Sequence, residues 1–536
     1  MRGALFLLIF VALSFAQNLV EKYELYRKFL DTKDVFLGKR LLERYPDAPF
    51  RNELILRLAE LTYKENPQEA RKLLEQIDLE KLPPSRQKKV LELWDKLGLP
   101  KKPLVLAYPE RFISYINTYS FSPEEREKIA RKLFNKKKYE YVVRLSQNCY
   151  YLGVSYYKLG NFEEAERILR NCNQDEAKKY LLFLYFKKGE PLKAEEYARE
   201  LQDPYLYYLL GREYLDREDF SKAKAFLSLS TYPEAPFFLG ILYYIEKDFE
   251  KAKESFEKYA PSTDLDRAKK AFWLFKTNLA LKKTEEALQN LSEASKYENF
   301  YGAVARLYLG EKVYNPVVKT SIEKPNLFFQ LKRISELGFP YYMRIEAFRN
   351  MDEITSGDLL LLKDYDTYLT IRLSARKYGV SSDIYKLVAY PTPFREVVRQ
   401  ASQKFNVSEA LIYAVMRQES LFDVYAVSRS GAMGLMQLMD FTAKWKAERL
   451  GMSVKDLFDV ETNITLGTAY LRFLLDYWNG NLAKAVASYN AGQGAVSRWK
   501  DYGDDYIFIE LIPYRETRDY VKKVLYNYYV YNEILK

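Results

Sequence analysis

The 536-residue chain contains no histidine. That absence removes the Ser-His-Asp and Cys-His nucleophilic machines and the usual zinc ligand sets together. Only two cysteines are present, Cys149 and Cys172, so a cysteine-rich metal site is excluded as well. No stretch has the spacing of an EF-hand calcium loop, and no cofactor or metal is expected. Alternating apolar and polar runs bounded by turn residues, the mark of β-strands, are scarce. No Lys/Arg-rich block or nucleic-acid motif stands out, so no nucleic-acid partner is expected. The formal net charge of +11 fits a basic soluble protein and equally fits attraction to an acidic polymer. Beyond the first residues no apolar run approaches the ~20 residues that a membrane-spanning helix needs. Any chemistry must therefore come from carboxylates, Tyr, Ser/Thr, Lys/Arg or backbone groups.

What is present is helical and large. The chain is 48% hydrophobic, a globular composition, and its length calls for two or more domains. Apolar residues recur at three- and four-residue spacing through most of it. The first residues have the grammar of a secretory signal: Arg2, an apolar run over residues 4–15, and small residues at Ser14 and Ala16. Cleavage is expected after Ala16. No cysteine follows the run, so a lipid anchor is not expected.

Four segments share one phase. Ala165, Ala194, Ala223 and Ala252 are spaced by 29 residues each, and each follows an aromatic-rich apolar helix and a turn. A fixed period of this size predicts a helical solenoid. It is shorter than the tetratricopeptide period, so the repeat is only tetratricopeptide-like. The 48 tyrosines and 32 phenylalanines are expected mainly as packing between helices. Cys149 and Cys172 lie at matched distances on either side of the turn at Gly160, where two antiparallel helices would bring them level. In an oxidising compartment a disulfide is expected.

The solenoid is expected to span residues 17–324. A smaller helical stretch follows over 325–387, and the Tyr390, Pro391, Pro393 break marks entry to a last domain over 388–536. There, Ser408 opens an apolar helix whose stripe of Ile412, Val415 and Met416 carries Glu419 onto or beside the buried face. A carboxyl held against apolar groups resists ionising, as a general acid near neutral pH must. Taken alone, the same position suits a boundary glutamate capped by Ser420 or paired to an arginine. Next come Gly431, Ala432 and Gly434, small enough for a ligand to approach the backbone closely. Gln437 offers an amide donor and acceptor of the kind that recognises N-acetyl groups and hydroxyls. Gly467 permits close helix packing, and Tyr489, Asn490 and Gly492 end another helix with a left-handed stop. Glu510 precedes a final amphipathic helix.

Taken in order, E-S at 419–420, G-L-M-Q at 434–437, the 463–471 block, Y-N-A-G at 489–492 and E-T-R-x-Y-V at 516–521 resemble the soluble lytic transglycosylase family. That resemblance implies an all-α protein: an α-superhelical domain, a small helical linker domain and a lysozyme-like catalytic domain. It implies a periplasmic enzyme that cleaves the β-1,4 bond between N-acetylmuramic acid and N-acetylglucosamine in peptidoglycan, leaving 1,6-anhydromuramic ends. Glu419 would be the catalytic acid and then base. Ser428, Gln437, Met439, Tyr489 and Asn490 would line the sugar site, with Glu510 contributing to it. Glycan strands would be the partner.

Two positions depart from the family pattern. Val424 and Asp440 stand where proline is common; neither change removes a chemical group, so activity is expected to survive. Asp423 and Asp440 are expected as solvated turn residues. Two rival readings remain open. One is a water-using muramidase with Asp423, Asp440 or Glu510 as second carboxylate; the other is a non-catalytic glycan-binding scaffold.

Overall fold

A computed structural model describes residues 19–314, 321–454 and 456–536. The expected signal segment, residues 1–16, lies outside them. Among the described residues the secondary structure is α-helix with a few 3₁₀ turns. The nearest approach to a sheet is a pair of isolated antiparallel bridges, Val427 with Met433 and Met433 with Leu438. No described helix is long and apolar enough to cross a membrane.

The 29-residue period appears as helical hairpins: Cys149–Lys158 with Phe162–Arg170, Asp175–Lys187 with Pro191–Leu201, Pro204–Asp216 with Phe220–Leu229, and Ala235–Ile245 with Phe249–Lys258. Local chemistry sets the turn in three of the four. Asn161, Asp219 and Asp248 cap the second helices by accepting from the backbone N–H three residues on. The residue before each cap has a positive φ: Gly160 at 80°, Glu218 at 62° and Lys247 at 63°. The four phased alanines are fully buried. A second small residue completes the crossing. A Cβ on Gly153, Gly211 or Gly240 would sit 2.5 Å from Leu169, Leu227 or Phe256 respectively. In the remaining repeat the sizes are exchanged, with buried Leu182 and Ala198 at those positions. One large and one small side chain per crossing keep the packing dense.

Cys149 and Cys172 are joined in a disulfide, with their Cα atoms 5.6 Å apart. It ties the start of one helix to the end of its partner, as the matched distances from Gly160 require.

The chain divides into two compact units. Of the described residues, one contains those within 19–99, 314–479 and 527–536; the other contains Pro100–Val313 and Gly480–Tyr526. In the second unit, aromatic contacts join solenoid and C-terminal residues: Phe272 and Tyr506 have ring centroids 4.8 Å apart. In the first, Tyr413 of the Glu409–Ser420 helix stacks on Tyr531 at 5.3 Å.

Candidate active site

The Glu409–Ser420 helix is buried continuously from Ala410 to Arg417. Ser408 sits at its N-cap but makes no side-chain cap bond. Arg417 anchors the far end. Its guanidinium donates to the carbonyl of Ala389 at 2.9 Å, to the Tyr385 hydroxyl at 2.8 Å and to Asn527 Oδ1 at 3.3 Å, and lies 4.2 Å from the centre of the Tyr390 ring. Two residues later Glu419 emerges half-buried, at the edge of an apolar helix.

The chain then turns sharply. Leu421 and Phe422 both have left-handed φ values, 50° and 67°, a conformation that costs roughly 1–2 kcal/mol per non-glycine residue. Ser420 holds one side of this turn. Its buried hydroxyl donates to the carbonyl of Leu435 at 2.8 Å and accepts from the N–H of Phe422 at 3.1 Å. Asp423 holds the other side. It is only 17% exposed and paired to Arg344 at 3.1 Å, which corrects the expectation of a solvated turn residue. A charged partner in a distant helix, invisible to local pattern, is the reason. Asp440 does stand exposed, paired to Lys444 at 2.7 Å.

Facing Ser420 is the loop that contains the other expected site residues of this unit. Ser428 accepts through Oγ from the N–H of Ala432 at 2.9 Å, while its own N–H donates to the Ala432 carbonyl at 2.9 Å. Gln437, at φ 48°, donates its amide to the carbonyls of Ala426 and Gly434 at 3.0 and 2.8 Å. The Gln437 amide nitrogen therefore braces the loop. Met439 sits half-exposed at the N-cap of the Asp440–Arg449 helix.

Asn463 supports this loop from beneath, and the sequence marked it only as part of a motif block. Buried, it accepts from the N–H of Met436 at 2.8 Å and donates to the carbonyls of Met433 and Leu457 at 3.0 and 2.8 Å. Gly434 owes its lack of a side chain to this staple. A Cβ there would lie 2.3 Å from Asn463 Nδ2 and 2.4 Å from the Leu457 carbonyl, at φ +77°. The expectation that Gly434 leaves room for a ligand is thus corrected: the protein's own groups fill the space. Gly431, at φ +87°, has nothing within 4 Å of an added Cβ. Gly467 packs as expected, its missing Cβ replaced by Met436.

These contacts separate the two glycines by experiment. Gly434→Ala should cost about 3 kcal/mol through backbone strain and the clash with Asn463, whereas Gly431→Ala should cost about 1 kcal/mol through φ alone. Thermal melts of the two variants should differ by several degrees. Equal melts would mean that Asn463 does not staple the loop.

Tyr489, Asn490 and Glu510 belong to the second unit. Tyr489 is half-buried and Asn490 exposed near the end of the Leu482–Ala491 helix. Asn490 Oδ1 accepts from the buried Thr517 hydroxyl at 2.7 Å. Gly492 stops the helix at φ 82°, ψ 140°, an extended glycine conformation and not the expected left-handed helical one. Glu510, on the Asp505–Leu511 helix, is 2% exposed and pairs with Lys522, itself 7% exposed, at 2.8 Å. Burial lowers the pKa of the Lys522 amine and Glu510 opposes that shift. Lys269 of the solenoid, half-buried and paired with Asp266 at 3.1 Å, has its pKa lowered by desolvation, with Glu510 and Asp266 opposing that shift. Neither lysine was legible as a partner of Glu510 in the sequence. Among the described residues no cluster of acidic or cysteine side chains could hold a metal ion.

Residues 396–512 match the family described as "Transglycosylase SLT domain". An uncharacterized protein of Aquifex aeolicus is 42% identical over 150 residues, 28% of this chain and 83% of that one. The soluble lytic murein transglycosylase of Escherichia coli K12 is 35% identical over 144 residues, 25% of this chain and 22% of that one. The chain thus spans less than a quarter of that relative's length. Among solved structures, an inactive glutamate-to-glutamine mutant of the lytic transglycosylase Slt from Pseudomonas aeruginosa has a TM-score of 0.61 at 19% identity, covering 98% of this chain and 94% of that one. At that identity the likeness speaks to fold: all-α, with superhelical and lysozyme-like parts.

Proposed function

We propose that the chain, whose residues 396–512 match the transglycosylase SLT family, is a peptidoglycan lytic transglycosylase with Glu419 as its acid and base. The observation that carries this reading is the placement of Glu419. It stands half-exposed at the end of a helix buried from Ala410 to Arg417, next to Ser420, whose hydroxyl donates to the carbonyl of Leu435 in the braced Ser428–Gln437 loop. A carboxyl at such an edge meets both apolar groups and substrate.

In the proposed reaction, protonated Glu419 donates its proton to the glycosidic oxygen as the bond from that oxygen to the muramoyl anomeric carbon breaks. The muramoyl 2-acetamido group stabilises the cation. The 6-hydroxyl of the same sugar then bonds to the anomeric carbon and returns its proton to Glu419. No water enters, and the enzyme ends as it began. Ser428, Gln437 and Met439 are the proposed sugar contacts in the unit that holds Glu419, and Gln437 would serve through its carbonyl oxygen because its NH₂ is engaged; Tyr489 and Asn490, in the other unit, are proposed sugar contacts from their motif position alone. Glu510 is a buried charge paired to Lys522 within its own unit.

A water-using hydrolase would need a second carboxylate. The three candidates are each engaged: Asp423 by Arg344, Asp440 by Lys444 and Glu510 by Lys522. That supports the single-carboxylate reading. The proposed organisation is a superhelical domain over 17–324, a linker over 325–387 and a catalytic domain over 388–536, exported to the periplasm after cleavage at Ala16. Purified sacculi incubated with the full chain should release soluble muropeptides. Intact sacculi would favour the scaffold reading instead.

A further inference from the structure

Arg344 lies on the Pro340–Arg349 helix, outside the residues matched to the transglycosylase family. Its guanidinium is gripped by two carboxylates. Nε and Nη2 donate to Asp366 at 2.6 and 3.1 Å, and Nη1 and Nη2 donate to Asp423 at 3.1 and 3.4 Å. The cation also sits 4.9 Å from the centre of the Tyr368 ring. All three charged side chains are largely sheltered, at 29%, 9% and 17% exposed for Arg344, Asp366 and Asp423. Such paired, forked contacts fix geometry far better than an exposed ion pair.

Each arm has a further anchor. Asp366 caps the Thr367–Tyr378 helix by accepting from the N–H of Leu369 at 3.0 Å. Asp423 ends the left-handed turn of Leu421 and Phe422 that begins two residues after Glu419. A turn of that kind persists only when its surroundings over-determine it. Ser420 supplies one restraint and the Arg344–Asp423 pair supplies the other.

We propose that Arg344 is a positioning residue for Glu419: through Asp423 it fixes the strained turn that aims the catalytic carboxyl. The inference rests on the function proposed above. It makes the helical segment before residue 388 part of the catalytic apparatus, because Glu419 is aimed partly by a side chain supplied from that segment.

The test uses the full chain on purified peptidoglycan, with kcat, KM and melting temperature measured for Arg344→Ala, Arg344→Lys, Asp423→Ala and the double variant Arg344→Ala/Asp423→Ala. Misplacement of a reacting group by about 1 Å costs on the order of 10²-fold. Arg344→Ala should therefore lower kcat by roughly 10–10²-fold, with KM little changed and the protein folded at the assay temperature. The double variant should be no slower than Asp423→Ala, since the arginine acts through the aspartate. Arg344→Lys should recover part of the loss. Unchanged kcat in a wild-type-active background would overturn the inference, as would a loss that tracks melting temperature alone or adds fully in the double variant. An inactive wild type would instead overturn the proposed function, and with it the role of Arg344.

Discussion

Glu419→Gln should reduce release of soluble muropeptides by ~10⁴-fold or more, with the fold and glycan binding retained. General acid–base catalysis contributes roughly 10²–10⁴-fold, and here one carboxyl serves both half-reactions. The loss should therefore reach the top of that range. Glutamine preserves the shape and still hydrogen-bonds, but it neither delivers nor recovers a proton. Its half-buried position at the helix end makes the substitution nearly isosteric, so the change in stability should stay within about 1 kcal/mol. Co-sedimentation with insoluble peptidoglycan should match wild type. Substantial residual turnover in this variant would remove Glu419 from the mechanism and return the assignment to another carboxylate.

Lys522→Met should destabilise the protein by about 3–5 kcal/mol, because it strands Glu510 as a buried carboxylate without its 2.8 Å partner. The remaining field of Lys269, which interacts electrostatically with Glu510, should keep the loss toward the lower end. The double change Lys522→Met/Glu510→Met should recover most of the stability, since a well-packed apolar pair often equals a buried ion pair. Guanidinium unfolding of the full chain gives the comparison. A single variant as stable as wild type would show that Glu510 finds other compensation. A double variant no better than the single would show that Lys522 matters through packing and not charge.

The legible features are those with a local or periodic signal. The 29-residue phase was readable because each hairpin reuses a small residue at the same crossing, and the disulfide because its cysteines straddle one turn. The helix-edge position of Glu419 was readable because an apolar stripe leads up to it. The misread features have long-range causes. Asp423 looked like a solvated turn residue because its partner, Arg344, is 79 residues away in sequence. Gly434 looked like space for a ligand because the staple that fills it, Asn463, reads as an ordinary polar residue on the next helix. Lys522 and Lys269 carry no pattern that distinguishes a buried lysine from an exposed one. Likewise, no local signal foretold that residues 480–526 would form a compact unit with residues 100–313; aromatic contacts such as Phe272 with Tyr506 carry that association.

The central claim is that Glu419 drives an intramolecular attack without water. Mass analysis of muropeptides released from purified sacculi tests it most directly. The account predicts products ending in 1,6-anhydromuramic acid, each one water lighter than the corresponding lysozyme product and resistant to borohydride reduction. Products with reducing muramic ends would contradict it and make the enzyme a hydrolase.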